Sequence, residues 1–266
     1  MNNSKFENQV VWITGASSGI GEALAHQFAA RGARLVLSAR REQDLRRVAD
    51  LCTGAPSVSV CPLDLSRPES LGDIAKDVVA REGHVDVMIH NAGVSQRSFA
   101  VDTSYDVAEL IMRTNYLGPI ALTNSLLPSM RARLRGHFIV VSSVLGKFGL
   151  PGRSAYCASK HALHGFFDTL RAELWKDNIH VTLVLPGWVH TNVSLNALTG
   201  NGTPQGRMDP GTASGFTPEF CANRIIIAAQ NNKTEVNIVR LKESAALYLK
   251  RFSPGLLERL IRGREI

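Results

Sequence analysis

Seven short apolar runs punctuate the chain, at about residues 9 to 14, 33 to 39, 57 to 62, 85 to 90, 136 to 143, 179 to 185 and 235 to 240. Between them lie longer segments whose apolar residues recur at helical spacing. Runs this short, and apolar throughout, suit strands buried on both faces, and strands separated by a helix's length of chain pair in parallel through crossovers. The pattern predicts an α/β fold: a single doubly wound parallel sheet of about seven strands with helices on both faces.

The remaining bulk properties mostly exclude. A chain of 266 residues, 44% hydrophobic and 20% charged, can bury one large core and is neither disordered, collagen-like nor a coiled coil. No stretch reaches the roughly 18 uncharged apolar residues of a spanning helix, and Met1 to Glu7 contains no apolar signal core, so a cytoplasmic chain is expected. Cys52, Cys61, Cys157 and Cys221 stand far apart without CxxC spacing, which predicts reduced thiols and no metal site. The formal charge is +7, but residues 240 to 266 supply +4 of it, and no recognition motif or interleaved aromatics accompany the charge. Nucleic acid is therefore not an expected partner.

After the first apolar run comes Thr14-Gly15-Ala16-Ser17-Ser18-Gly19-Ile20-Gly21, followed by helical spacing from Glu22. Glycines between a strand and a helix let the backbone approach a pyrophosphate, whose charge meets the helix N-terminus. The spacing is GxxxGxG, and such a turn alone also suits plain chain reversal. The second run adds detail, ending Leu37-Ser38-Ala39-Arg40-Arg41. An acid there would hold a ribose 2′-hydroxyl; Ala39 removes it, and Arg40 offers a planar donor fork for a 2′-phosphate. NADP(H) is thus favoured over NAD(H), while Arg41 suits either the phosphate or the opening of the next helix.

Tyr156-Cys157-Ala158-Ser159-Lys160 puts a phenol and an ammonium four residues apart on one helix face. A tyrosine near its ordinary pKa of about 10 transfers protons poorly at neutral pH, and a nearby cation favours its phenolate. Any helix can carry such a pair, so its weight comes from company. Ser143 ends the fifth run, where a hydroxyl would emerge at the carboxyl edge of the sheet. Asn115, a poor helix-interior residue, calls for a hydrogen-bonding reason. His90, His161, His164 and His190 form no ligand pattern, and Cys157 points away from the phenol's face as a buried thiol.

In these combined motifs, from Gln9 to Thr191, the chain resembles the single-domain short-chain dehydrogenase/reductase family. They are TGASSGIG, Asn91-Ala92-Gly93, Asn115, Ser143, Tyr156 with Lys160, and Pro186-Gly187 with Thr191. The resemblance implies a Rossmann-like fold and an NADP(H)-dependent oxidoreductase that interconverts a carbonyl and an alcohol. Tyr156 would be the acid or base, and Ser143 would polarise the substrate oxygen. Lys160 would hold the nicotinamide ribose and keep Tyr156 acidic, and Asn115 would tether a water leading from Lys160 to solvent. Gly15, Ser17, Ser18, Gly19 and Ile20 would line the pyrophosphate, Arg40 the 2′-phosphate, and Asp64 and Leu65 the adenine. Asn91, Ala92 and Gly93 would line the adenosine side, and Pro186, Gly187, Val189 and Thr191 the nicotinamide. The basic residue that some NADP-using relatives carry inside the glycine turn is missing, Ser17 standing there. A non-catalytic NADP(H)-binding regulator is the alternative, with less use for Ser143, Tyr156 and Lys160 together.

Residues 192 to 218, with five glycines, three prolines and only Arg207 and Asp209 charged, are expected to form a substrate lid within a domain spanning residues 1 to 241. Val193, Leu195, Leu198, Met208 and Phe216 point to a hydrophobic carbonyl or alcohol substrate, with Trp188 either a pocket wall or core. Residues 242 to 266 read as a basic amphipathic extension of two helices, Lys242 to Phe252 and Pro254 to Arg262, with Ser253 as N-cap. Its apolar faces beside Lys250, Arg251, Arg259, Arg262 and Arg264 suit packing within the protein or an oligomer, or peripheral contact with an anionic membrane. Relatives pair through helices that would begin near Thr103 and Arg153, so a homodimer or homotetramer is expected.

Overall fold

The protein is described by a computed structural model covering residues 5–263. Its sheet holds seven strands: β1 (Val10–Thr14), β2 (Arg34–Ser38), β3 (Val58–Val60), β4 (Val87–His90), β5 (Gly136–Val141), β6 (Ile179–Pro186) and β7 (Glu235–Ile238). All neighbours pair in parallel, in the order β3-β2-β1-β4-β5-β6-β7.

Alternation along each strand feeds two cores. Val11, Ile13, Leu35, Leu37 and Ile89 face one layer, with Leu24 and Phe28 of α1 (Gly19–Ala29), Leu45 of α2 (Glu42–Leu51) and Ile225 of α8 (Pro218–Gln230). Trp12, Val36, Met88, Phe138 and Leu183 face the other, with Leu71 of α3 (Pro68–Glu82), Leu126 of α5 (Gly118–Ala132) and Phe167 of α6 (Ser154–Glu173). Each such side chain contributes about 2 kcal/mol, and both layers pin the register because a one-residue slip would exchange them.

The chain runs from β1 outward to β3 and then returns to β4 on the other side of β1, opening a crevice at the carboxyl edge between β1 and β4. The helix expected from near Thr103 starts as α4 (Tyr105–Met112), with Ser104 accepting from the Val107 amide. It passes through a π turn at Arg113–Leu117 before α5, a break the apolar spacing gives no sign of.

A short α7 (Pro210–Ala213) lies in the expected lid, and the tail forms α9 (Leu241–Phe252) and α10 (Pro254–Ile261). Ser253 does occupy the N-cap position of α10, but its side chain makes no capping bond. The same residue closes α9, and Pro254 begins the helix without needing an amide partner. Arg264 of the expected basic face lies outside the described residues.

Asp86 locks the opposite edge of the sheet. Its carboxylate accepts from the Val10 amide at 3.0 Å and is paired with Arg133, with His84 at 3.1 Å and Arg135 at 3.5 Å. Burial opposes the charge, yet the Val10 amide and Arg133 outweigh it and hold the carboxyl below its usual 3.8. The stabilisation is therefore complete above pH 3.8 and lost as pH falls through the folded value. Asp86→Ala is expected to cost about 3 kcal/mol by urea unfolding at pH 7, with a difference from the parent that shrinks on acidification.

Candidate active site

The nucleotide half grows from the glycine turn. Gly15 and Gly19 have φ of +66° and +59°, a region other residues rarely enter. A Cβ on Gly15 would come within 2.8 Å of Ala92 Cα, and one on Gly21 within 2.1 Å of the Gly15 carbonyl oxygen, so turn, helix and β4 loop meet without side chains between them. Ser18 precedes α1 in extended conformation and makes no side-chain cap, which leaves the first amides of the helix available to an anion.

Expected on the adenosine side, Asn91 lines the same cavity but also holds the turn itself, donating from Nδ2 to the carbonyls of Thr14 and Gly15 at 3.0 and 3.2 Å. Asp64, Leu65, Ala92 and Gly93 border the cavity too, Asp64 accepting from the Ser66 amide at 2.9 Å.

The two arginines after β2 separate clearly. Arg40 is exposed at the cavity rim with no partner among the described residues, whereas Arg41 is paired with Asp44 in the first turn of α2. A basic group missed by the motif reading stands beside the turn: Arg47 donates to the Ser17 carbonyl at 3.1 Å, although Glu22 neutralises it at 2.7 Å. Open amides, a turn that excludes side chains and an unpaired guanidinium fit a dinucleotide carrying pyrophosphate.

The catalytic half is built where β5 meets α6. Ser143 follows β5 and its Oγ accepts from the Leu145 amide at 3.1 Å, which aims the hydroxyl along the cavity wall. Arg153 occupies the N-cap of α6 without capping it by side chain. That task falls to Gln96, whose Oε1 accepts from the Ala155 and Tyr156 amides at 2.8 and 3.2 Å. Gln96 thus fixes the turn that carries Tyr156, and nothing local in the sequence marked it.

Tyr156, half-buried, lies beside Ser143, with Lys160 Nζ 5.8 Å from its ring centre. Burial pushes the phenol pKa above 10; a hydrogen bond from Ser143 and the charges of Arg153 and Arg97 pull the other way. The cations that oppose burial at the phenol are Arg153 and Arg97, and the acidifying role expected of Lys160 is not among the leading influences there. Lys160 is itself buried, donates to the Val141 carbonyl at 2.9 Å and is pulled down by burial to about 8.

Asn115 sits in the π turn. Its Nδ2 donates to Val94 O at 2.9 Å and Ser159 Oγ at 3.0 Å, and its Oδ1 accepts from the Val94 amide at 2.8 Å. Both amide hydrogens are used, so any water it tethers meets only the second lone pair of Oδ1. Asn115 and Lys160 come together behind Gly93, where a Cβ would lie 3.1 Å from Oδ1 and 3.5 Å from Nζ.

Both halves open into one cavity of about 970 Å³, which Pro186, Gly187, Trp188, Val189 and Thr191 border after β6. Trp188 lines it with the Arg153 guanidinium 5.2 Å above its ring. Arg97 and Arg153 both reach Asp209 of the lid, Arg153 at 3.4 Å, so one carboxylate serves two buried guanidiniums and one positive charge is left over near Tyr156. Burial, then Arg97, lower Arg153 to about 10. The lid is further held by bridges Gln96 to Leu198 and Val189 to Phe216. Cys157 is buried with its thiol pKa raised by burial, and His164 supports the end of β5 through Ser142 Oγ at 3.1 Å.

Comparison with known proteins adds an independent finding. A family model for short chain dehydrogenases matches residues 9–201. The chain is 46% identical over 264 residues to the dehydrogenase/reductase SDR family member 7B of Bos taurus, covering 97% of this chain and 81% of that protein. Among solved structures, a metagenomic short-chain oxidoreductase in complex with NADP is similar at 28% identity and TM-score 0.73, over 88% of this chain and 97% of that one. A short chain dehydrogenase/reductase from Burkholderia phymatum in complex with NAD shares the fold at 23% identity and TM-score 0.83, over 98% of each chain.

Burial of Lys160 has a measurable sign. Its ammonium is disfavoured in the folded protein, so between pH 8 and 10.5 the unfolded chain binds a proton that the folded one does not, and stability gains as pH rises. Lys160→Met removes this gain. Its Tm relative to the parent, both without cofactor, is expected to be highest at pH 7 and to fall progressively towards pH 10.5; a difference independent of pH would contradict the assignment.

Proposed function

Because the chain belongs to the short-chain dehydrogenase/reductase family of oxidoreductases, we propose that it uses NADP(H) to interconvert a carbonyl and an alcohol on a hydrophobic small molecule, with Tyr156 as the acid or base. The observation that carries this reading is the meeting of Ser143, Tyr156 and Lys160 in the cavity that also holds the glycine turn. When bound, the nicotinamide supplies or takes up the hydride. Gly15, Ser17, Ser18, Gly19 and Ile20 would bind the pyrophosphate, Asp64, Leu65, Asn91, Ala92 and Gly93 the adenosine, and Pro186, Gly187, Val189 and Thr191 the nicotinamide, with Tyr156 and Lys160 at its ribose.

During reduction Tyr156 gives its proton to the substrate oxygen while Ser143 donates a hydrogen bond to the same atom. The phenolate left behind faces the uncompensated charge of Arg97 and Arg153, worth more in this partly buried setting than in water. Lys160, brought to about 8, can lose and regain a proton near neutrality and so resupply the phenol. Oxidation uses the same groups in reverse.

The 2′-phosphate preference rests on Arg40, which has no partner among the described residues, and on Ala39, which offers no carboxylate. Leu145, Phe148, Leu150, Val193 and Leu198 support an apolar substrate. Exposed Val101, Tyr105 and Leu117 around α4 support pairing of two copies there, as a homodimer or half of a homotetramer. Four buried, unpaired thiols accord with a reducing compartment such as the cytoplasm.

Two substitutions test the reading. Tyr156→Phe is expected to lower kcat at least about a hundredfold on a panel of hydrophobic ketones while leaving NADPH affinity unchanged; unaltered turnover, or none in the parent, would favour a non-catalytic NADP(H)-binding regulator. Arg40→Ala is expected to weaken NADPH about tenfold with NADH unaffected, read by fluorescence titration. Equal affinities in parent and variant would remove the cofactor preference alone.

A further inference from the structure

The two tail helices are apolar on opposite sides. Inward, Leu249, Leu257 and Ile261 border the cavity. Outward, α9 presents Leu241, Tyr248 and Phe252 at positions i, i+7 and i+11, 89%, 67% and 76% exposed, with Ala245 between them at the edge of the cavity. On α10, Leu256 and Leu260 extend the apolar surface, Leu260 being 60% exposed while also touching the cavity. A helix apolar on both faces calls for cover on both.

The charges around this surface choose among covers. Lys242 and Arg251 flank the α9 stripe, one on each side, Lys242 also bordering the cavity, and Arg259 stands exposed on α10 while Lys250 lies on the far side of α9; none of the four makes an ion pair among the described residues. Among the described residues of the segment both acids are occupied, Glu243 accepting from the Arg240 amide at 3.0 Å and Glu258 from Arg262 at 2.6 Å. A second copy laid on the same face would oppose cation to cation, with no free carboxylate among the described residues of the tail to answer. A surface that is anionic and apolar beneath satisfies both features at once.

We infer that the outward face of α9 and α10 docks on an anionic lipid bilayer. The same helices then separate the bilayer from the cavity, with Leu260 at the boundary, so an apolar molecule dissolved in lipid has a short route inward. That the cavity receives it rests on the proposed function; the docking does not.

The test is flotation of the full chain with vesicles of phosphatidylcholine alone or mixed with phosphatidylserine, at low and high salt. Expected are binding only to the mixed vesicles, release by salt, and at least a tenfold loss in both Tyr248→Glu/Phe252→Glu and Arg251→Glu/Arg259→Glu, two basic residues at an anionic surface together contributing about thirtyfold. NADPH titration of each variant monitors the fold, and the charge pair stands if the apolar pair folds poorly. Failure of the parent to float, equal binding to neutral vesicles, or a parent dimer that Tyr248→Glu/Phe252→Glu makes monomeric would overturn the inference. Absence of turnover would count against the proposed function and leave the flotation result untouched.

Discussion

Seven parallel strands must all end on the same edge, and this constraint brings the chemistry of the chain to one place. Every crossover returns the backbone to the far edge before a new strand begins, so each strand's last residue delivers its loop to the shared rim. Thr14, Asn91, Ser143 and Gly187 lie far apart in sequence and arrive together for that reason. The reversal between β1 and β4 then opens the rim, and closure of the gap depends on Gly15 lying against Ala92 with no side chain between. The Asn91 amide ties the two loops across it, so the turn's shape is set by β4 as much as by its own glycines.

The catalytic half obeys a different economy. Tyr156 and Lys160 are held where burial opposes ionisation of both, raising the phenol and lowering the ammonium. Such a setting keeps the phenol neutral, makes the ammonium easier to deprotonate, and magnifies the effect of any charge placed nearby. Arg97 and Arg153 supply a standing positive field, moderated but not cancelled by Asp209. Asp209 belongs to the lid, so the field beside the phenol depends on the lid being in place. Segment 192–218 and the charge beside Tyr156 are thereby linked through one carboxylate.

Local regularity explains what the sequence made legible. The strands, the glycine turn, the tyrosine and lysine four apart, and both tail helices all follow from spacing over a few residues, and the structure returns them with boundaries moved by one or two positions. Partners drawn from distant segments left no such trace. Gln96 caps α6 across 59 residues, and Arg97 meets Asp209 across 112. Arg47 reaches the glycine turn from a different helix, and the π turn that carries Asn115 has no periodic signature against α4 and α5. Ser253 shows the converse: its residue type and position satisfied the rule for an N-cap, but service as the end of α9 leaves its backbone at φ −145° and ψ 62°, and its side chain makes no cap.

The tail's double role follows from how little holds it. Among its described side chains only Leu257 is fully buried, and its inward contacts run to Val144, Leu145 and Phe148, which are themselves residues of the cavity wall. Its first turn is fastened to the rim by Arg240, which donates to the Ser214 carbonyl at 2.5 Å and lies over Phe216. The tail is thus a wall anchored at one end and packed mainly on the cavity's own lining, outside the seven-strand sheet. Segments with few buried contacts lie at the low end of local stability, so a surface that orders the outer face also fixes the inner one. On the docking inferred above, cover on the outside and the shape of the cavity inside would be a single equilibrium, set at Phe252 and its neighbours.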